Sequence, residues 1–184
     1  MYFENIHTLH QYTLALELHQ DAIQCDQCHA SDQFVSHGFV YRYLHYGVKE
    51  AVGKRILCSD RYGKSGCGKT FRLYLAKMIP ALRHTTHHLH MFIASLLTGL
   101  TIQQAYQGAT NTEDPRNAYR WLHKLTKQMV NYRGFLKTRH TAQSFFSRSP
   151  RLQLLLPTLQ QLFTCIGKQA CTHYQLLKQR SLIG

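Results

Sequence analysis

Four cysteines near the start of the chain constrain its fold more than any other feature of the sequence. Cys25 and Cys28 form a C-x-x-C pair, and Cys58 and Cys67 follow before residue 70. Structural zinc takes four ligands at tetrahedral corners, and cysteine thiolates bind it in many small domains. We therefore predict that Cys25, Cys28, Cys58 and Cys67 hold one structural Zn²⁺. The alternatives are four buried, metal-free cysteines or a redox-active C-x-x-C pair.

The second cysteine pair overlaps a different motif. Residues 63–70, "GKSGCGKT", fit G-x-x-x-x-G-K-[ST], the phosphate-binding loop of nucleotide hydrolases. That loop needs a helix after its Lys-Thr, whereas the residues after Thr70, "FRLYL", are typical of a strand. A nucleotide hydrolase that uses Gly63 to Thr70 therefore remains only an alternative. We interpret "SDRYGKSG", between Cys58 and Cys67, as an insertion whose glycines let the backbone turn around the sulfurs.

The apolar pattern predicts an α+β fold. Residues 3–20 are predicted to form a helix, and 33–46, 54–58 and 70–76 three strands, with a turn bracketed by Gly47 and Gly53. Beyond His84 the period of 3.6 predicts three helices, the second with a capping box between Thr101 and Gln104 and the third running from Pro115 to about Val130. The predicted domains are an N-terminal helix (1–22), a small antiparallel zinc β-ribbon (23–83), a three-helix domain (84–130) and a basic, leucine-rich helical tail (131–184).

Basic residues are concentrated in the second part of the chain. Residues 1–114 contain ten of the 22 Lys and Arg and all nine acids, while residues 115–184 contain the other twelve and no acid. Such a segment is suited to binding a polyanion, because Lys and Arg neutralise phosphates and release counterions. We therefore expect nucleic acid as a partner. The sequence has no run of about 18 apolar residues and no signal peptide, so we expect a cytoplasmic protein.

The sequence offers no convincing catalytic constellation. No acid follows Asp114, so the three spaced carboxylates of a recombinase are missing, and no hydrolase triad is recognisable. His88 and His90 match the metal pair of rolling-circle nucleases, but they fall in a helical pattern, where their side chains diverge. We therefore expect no enzymatic activity.

The order of these segments resembles a known module. A four-cysteine knuckle is followed by "SLLTGLTIQQAYQGAT" and then by a helix that contains "NAYRWLHKL". This order resembles the zinc-ribbon and helix-turn-helix module of insertion-sequence transposases and their small accessory proteins, over about residues 23–130. The residues that carry the resemblance are Gly99, Leu100, Thr101, Ile102, Ala105, Tyr119, Arg120, Trp121 and Leu122. The turn "GATNTED" is longer than is usual in that family.

The resemblance implies a mode of binding DNA. The third helix of the helix-turn-helix, residues 84–130, would enter the major groove, with Arg116, Asn117 and Arg120 contacting base edges. Phosphate contacts would come from Lys124, Lys127, Arg133, Lys137 and Arg139, with Lys69 and Arg72 added by the ribbon. Trp121 and Leu125 are expected to pack in the core rather than to stack on bases.

The sequence as a whole predicts a sequence-specific DNA-binding protein of a mobile element. Its role would be that of a transposition accessory factor, or of a regulator that binds the element's ends in the bacterial nucleoid. A transposase and a second copy, docked through the 150–184 tail, are the expected protein partners. The main alternative is an RNA-binding zinc-ribbon protein in which Tyr41, Tyr43 and Tyr46 stack on unpaired bases.

Overall fold

The computed structural model divides the chain into two units. The N-terminal unit is Met1–Met78 and the C-terminal unit is Ile79–Gly184. The structure describes residues 1–18, 23–43, 47–80, 82–137 and 152–183. The fold is α+β, as predicted, and the four predicted segments are grouped into these two units. No helix among the described residues is long and apolar enough to cross a membrane.

The N-terminal unit is a four-stranded mixed sheet with one helix. Its elements are β1 (Tyr2–Phe3), α1 (Ile6–Glu17), β2 (Phe34–Tyr43), β3 (Lys49–Cys58) and β4 (Thr70–Leu75). The strand order is β1-β4-β3-β2; β2, β3 and β4 pair antiparallel, while β1 pairs parallel with β4. The three predicted strands are thus present. The expectation of a purely antiparallel sheet was wrong, because the two residues of β1 add a parallel pair.

The predicted turn at Gly53 was also wrong. Gly53 lies inside β3, which runs without a break from Lys49 to Cys58. A Cβ atom at this position would lie 2.1 Å from the backbone oxygen of Leu73 on β4. Glycine is therefore needed here because two strands approach each other closely, and not because the chain turns.

Helix α1 covers one face of the sheet. Asn5 caps it: the Asn5 side chain accepts a hydrogen bond from the Thr8 backbone N–H, and the Thr8 hydroxyl oxygen accepts one from the Asn5 N–H. Leu9 and Leu16 are buried on the inner side of the helix. They pack in one core cluster with strand residues that include Phe34, Val52, Ile56, Leu73 and Leu75.

A lysine is buried between α1 and the sheet. The Lys54 side chain projects from β3, and its ammonium donates to the Thr13 hydroxyl at 2.7 Å and contacts the His10 ring nitrogen at 3.1 Å. Burial lowers the pKa of Lys54, and the charge of Glu17 partly offsets this effect. Keeping the charged ammonium in a largely apolar layer therefore lowers the stability of the folded state.

Replacing Lys54 by methionine should change how stability depends on pH. The pKa of Lys54 is lower in the folded state than in the unfolded state. The cost of burying the charged ammonium therefore applies in full at neutral pH, and it is lost as the pH rises toward about 10 and Lys54 loses its proton. We expect Lys54→Met to gain stability relative to the wild type at pH 7, and the gain to shrink as the pH rises. Urea unfolding across this range measures it. The exposed lysine Lys168 of the C-terminal unit is the control, and the stability curve of Lys168→Met should run parallel to that of the wild type. A parallel curve for Lys54→Met as well would contradict the assignment.

The C-terminal unit is entirely helical in the part that the structure describes. Its helices are α2 (Thr86–Leu97), α3 (Ile102–Thr110), α4 (Arg116–Lys127), α5 (Met129–Lys137), α6 (Leu155–Ile166) and α7 (Ala170–Lys178). The predicted capping box at α3 is confirmed, since Thr101 and Gln104 exchange side-chain and backbone hydrogen bonds. The third helix was expected to continue to Val130. It ends at Lys127, and α5 begins after Gln128.

One aromatic side chain from each of α2, α3 and α4 fixes how these helices pack. Phe92, Tyr106 and Trp121 are almost fully buried, with ring centroids 5.2 to 6.1 Å apart and near-perpendicular planes. Edge-to-face packing of this kind adds to the burial of apolar area. Trp121 and Leu125 are therefore core residues, as predicted.

The leucine-rich tail belongs to the same core. Leu155, Leu159 and Leu162 of α6 are fully buried in the cluster that holds the aromatic side chains of α2–α4. These three leucines are therefore buried within the unit, and the second copy expected at the 150–184 tail stays a prediction. Pro157 lies in the first turn of α6, a position where proline is tolerated.

Candidate metal centre

The four predicted cysteines converge on one point. The sulfur atoms of Cys25, Cys28, Cys58 and Cys67 all lie within 4.8 Å of one another. The sulfurs of Cys25 and Cys67 are 3.7 Å apart, as are those of Cys28 and Cys58. Metal–sulfur bonds of about 2.3 Å, the length found for zinc, give a tetrahedron with edges of about 3.8 Å. The distances also exceed a disulfide bond, so the group can hold a metal ion with all four thiols.

The first pair sits in a tight turn. The backbone N–H of Gln27 points at the sulfur of Cys25, at 3.4 Å, and the N–H of His29 donates to the Cys25 oxygen at 2.8 Å. The Cys25 N–H donates to the oxygen of Ala30, which closes the loop. These bonds hold the C-x-x-C segment so that both sulfurs face the same side. His29 and His37 are not part of the sulfur cluster.

The second pair joins the ends of β3 and β4. Cys58 ends β3, and its backbone exchanges hydrogen bonds with Lys69 and Gly68 just before β4. The N–H of Cys67 points at the Cys58 sulfur at 3.4 Å. This arrangement brings Cys67 beside Cys58 and leaves residues 59–66 as a projecting loop, in accord with an insertion between the two ligands.

Gly66 is the point where this loop closes on the sulfurs. A Cβ atom there would lie 2.4 Å from the oxygen of Ser59 and 2.6 Å from the sulfur of Cys58. No side chain fits in this space, so the glycine is required by close approach to a ligand atom.

The loop is also hydrogen-bonded to the segment between the first cysteine pair and β2. The Lys64 ammonium donates to the oxygen of Asp32 at 2.7 Å, and the Ser65 N–H donates to the Gln33 side chain at 2.8 Å. Lys69 donates to Gln27, between the first two cysteines. Hydrogen bonds thus connect the two halves of the site independently of a metal.

The thiols differ in how readily they ionise. Burial opposes ionisation of Cys25, but hydrogen bonds from the backbone of Cys28 and Gln27 and from neighbouring thiols lower its pKa to about 7. Burial raises the pKa of Cys58 to about 12. A divalent cation would let all four thiols ionise together, and its binding would therefore release protons and weaken as the pH falls.

The geometry of residues 63–70 does not suit a phosphate. The backbone N–H groups of residues 64–68 all donate within the protein, to acceptors on Arg61, Gln33, Ser59 and Cys58. A phosphate-binding loop keeps such groups free to face the ligand and leads into a helix. Here the chain enters β4 at Thr70.

Helix α4 presents a basic stripe on the side opposite to its core residues. Ala118, Trp121, Leu122 and Leu125 are buried. Residues three or four positions apart lie on one face of a helix. The basic stripe consists of four exposed residues at this spacing, Arg116, Arg120, His123 and Lys127. His123 was not among the predicted contacts, although the helical spacing marks it.

The other predicted contact residues lie in varied surroundings. Asn117 is half-buried and accepts a weak hydrogen bond from Arg120 at 3.4 Å, and Lys124 is half-buried. Arg133 and Lys137 are exposed on α5, and Arg139 lies outside the described residues. Arg72 is exposed on β4 directly opposite Arg55, a like-charged neighbour that sequence analysis did not select.

Arg116 is bound by Asp114, the last acid in the sequence. Its Nε lies 2.9 and 3.0 Å from the two carboxylate oxygens of Asp114, and its Nη2 lies 2.8 Å from one of them. The same carboxylate accepts the Arg116 backbone N–H, and these hydrogen bonds lower the pKa of Asp114. Asp114 therefore favours its ionised form and binds the guanidinium in an exposed ion pair.

Comparison of the chain with family models, with curated proteins and with solved structures found no match.

Purified protein should contain about one zinc ion per chain, as expected for a four-thiolate structural site. Cys58→Ser should lose the metal and lower the melting temperature, because the site would keep only three thiolates. Elemental mass spectrometry and thermal unfolding measure these two effects.

The matched control is Cys165→Ser, since Cys165 is an exposed cysteine of the C-terminal unit. It should keep the metal. Equal metal content in Cys58→Ser and the wild type would show that the four sulfurs do not form the site.

Proposed function

We propose that this protein binds duplex DNA in a sequence-specific manner, with a structural Zn²⁺ at Cys25, Cys28, Cys58 and Cys67. The observation that carries the proposal is the basic stripe of α4. It lies opposite buried residues, in a segment whose sequence from residue 115 onward has no acid. A single helix fits the major groove, and a row of basic side chains along its outer face meets both base edges and phosphates.

The packing of α2, α3 and α4 supports this role. In a helix-turn-helix, the first helices hold the recognition helix so that its outer face is free. Here Phe92 and Tyr106 hold α4 through Trp121, while Arg120 and Lys127 remain exposed. We assign Arg116, Asn117 and Arg120 to base edges, and the lysines of α4, with Arg133 and Lys137, to phosphates.

The biological setting follows from the sequence resemblance alone. A protein of this kind would bind the ends of a mobile element, as a transposition accessory factor or as a regulator, with a transposase as its partner. We assign no catalytic step to it. The zinc is proposed on the donor set, because four thiolates at tetrahedral distances are typical of structural zinc.

Substitutions on the stripe should separate base contacts from phosphate contacts. Against a duplex selected from a random pool, we expect Arg120→Gln to weaken binding about 5- to 150-fold and to relax specificity at one position. Lys127→Gln should weaken binding to all sequences alike and reduce the slope of log affinity against log salt by about 1. Fluorescence anisotropy over a range of salt concentrations measures both effects.

Lys168 is the control for charge alone, because it is exposed in the turn between α6 and α7. Lys168→Gln should keep the specificity and nearly all of the affinity of the wild type. If Arg120→Gln and Lys168→Gln behave alike, α4 is not the recognition helix.

Asp114→Asn tests whether the carboxylate restrains Arg116. Asparagine can still accept the Arg116 backbone N–H, but it lacks the charge that binds the guanidinium. We expect tighter binding to random duplexes and a lower ratio of specific to non-specific affinity, because a released arginine pairs with any phosphate. In an Arg116→Gln background the same change should have no such effect; a gain there would assign the effect to net charge.

A further inference from the structure

Three aromatic side chains form an exposed row on β2, an edge strand of the sheet. This aromatic row consists of Phe39, Tyr41 and Tyr43, which are 37%, 51% and 68% exposed. The ring centroids of Phe39 and Tyr41 are 6.1 Å apart. Tyr41 and Tyr43 are two residues apart and share a face of the strand, since side chains alternate. Exposed aromatic side chains that are grouped on one strand indicate an interaction site.

The charges next to the row are positive. The Lys49 ammonium lies 4.6 Å from the centre of the Tyr41 ring. The Lys54 ammonium lies 5.3 Å from the centre of the Phe39 ring, but it is buried against α1 and cannot meet a ligand on the row. The neighbouring acids are engaged elsewhere: Glu17 accepts from the backbone N–H of Ser36, and Glu50 pairs with Lys77. Exposed rings beside a lysine suit a ligand that combines flat apolar groups with negative charge.

The backbone of β2 does not favour strand addition as the mode of binding. Its pairing with β3 shifts in register between Ser36 and Phe39 and again between Val40 and Tyr41. Gly38 has a φ of +86°, in the left-handed region. Irregularities of this kind interrupt the regular row of backbone groups that an added strand needs. The side chains of the row, rather than its main chain, are therefore the binding elements.

We propose that the aromatic row binds single-stranded DNA by stacking of unpaired bases, with Lys49 moving from the Tyr41 ring to a phosphate. Every base offers a flat face, so successive rings along a strand bind single strands with little sequence preference. Bases within a duplex are already stacked on each other and are not available to such a row. The choice of DNA over RNA rests on the proposed function, whereas the stacking site itself does not.

The test uses full-length protein and a fluorescently labelled oligothymidylate in anisotropy titrations. Tyr41→Ala with Tyr43→Ala should weaken binding roughly tenfold or more, because each stacked base contributes substantially to affinity. Tyr41→Phe with Tyr43→Phe keeps both rings and should bind like the wild type. Tyr62→Ala removes a tyrosine that is 99% exposed in the loop 59–66 and should have no effect. Unchanged zinc content in the alanine variant verifies that the sheet is folded.

The outcomes separate this site from the duplex site. Arg120→Gln should lower duplex binding and leave oligothymidylate binding unchanged, and the double alanine variant should do the reverse. Absence of binding to oligothymidylate, or equal binding by the alanine and phenylalanine variants, would overturn the stacking proposal. Tighter binding to the matching oligouridylate would overturn the choice of DNA. Loss of oligothymidylate binding in Arg120→Gln would show that one surface serves both ligands.

Discussion

The convergence of four sulfur atoms is the constraint on which the N-terminal unit depends. One pair comes from a turn before β2, and the other from the junction of β3 and β4. Because both pairs must reach one point, the starts of β2 and β4 and the end of β3 are fixed relative to each other. The register follows, with Phe34 opposite Cys58 and Leu57 opposite Thr70. A sheet with only one helix on it has a small core, and a metal cross-link compensates for that in small domains.

In the C-terminal unit, side-chain packing determines the geometry. Trp121 contacts both Phe92 and Tyr106, so the rotation of α4 about its axis is set by where its largest side chain fits. That rotation decides which residues are left on the outside. The basic stripe is thus a consequence of the core, and a change in the core would change which residues of α4 face outward.

Sequence patterns predicted the cysteines that cluster, the three main strands and the helical second part, because these features follow from local spacing. The patterns failed where a residue's role is set by a partner distant in sequence. Two residues are too few to show a period, so β1 was missed. Gly53 looked like a turn because spacing along the sequence does not show which strand pairs with it, and the close approach of β4 requires the glycine.

The same reasoning explains the remaining differences. The tail leucines were correctly taken as an apolar face, but their spacing does not say whether that face meets the same chain or another copy. The end of α4 at Lys127 was missed because no glycine or proline stands there to signal it. The pair between Asp114 and Arg116 depends on rotamers, which composition does not specify.

The loop between Cys58 and Cys67 has a consequence for how this chain can change. Its two ends are held together by the hydrogen bond from the Gly66 N–H to the Ser59 oxygen, and Lys64 and Ser65 bond to Asp32 and Gln33, so the tip around Tyr62 lies outside the sheet's register. Lengthening a closed loop costs only about 0.6 kcal/mol for each doubling. The tip near Tyr62 is therefore a place where a peptide tag or an entire small domain can be inserted. The cysteine cluster would still hold the two ends of the loop together.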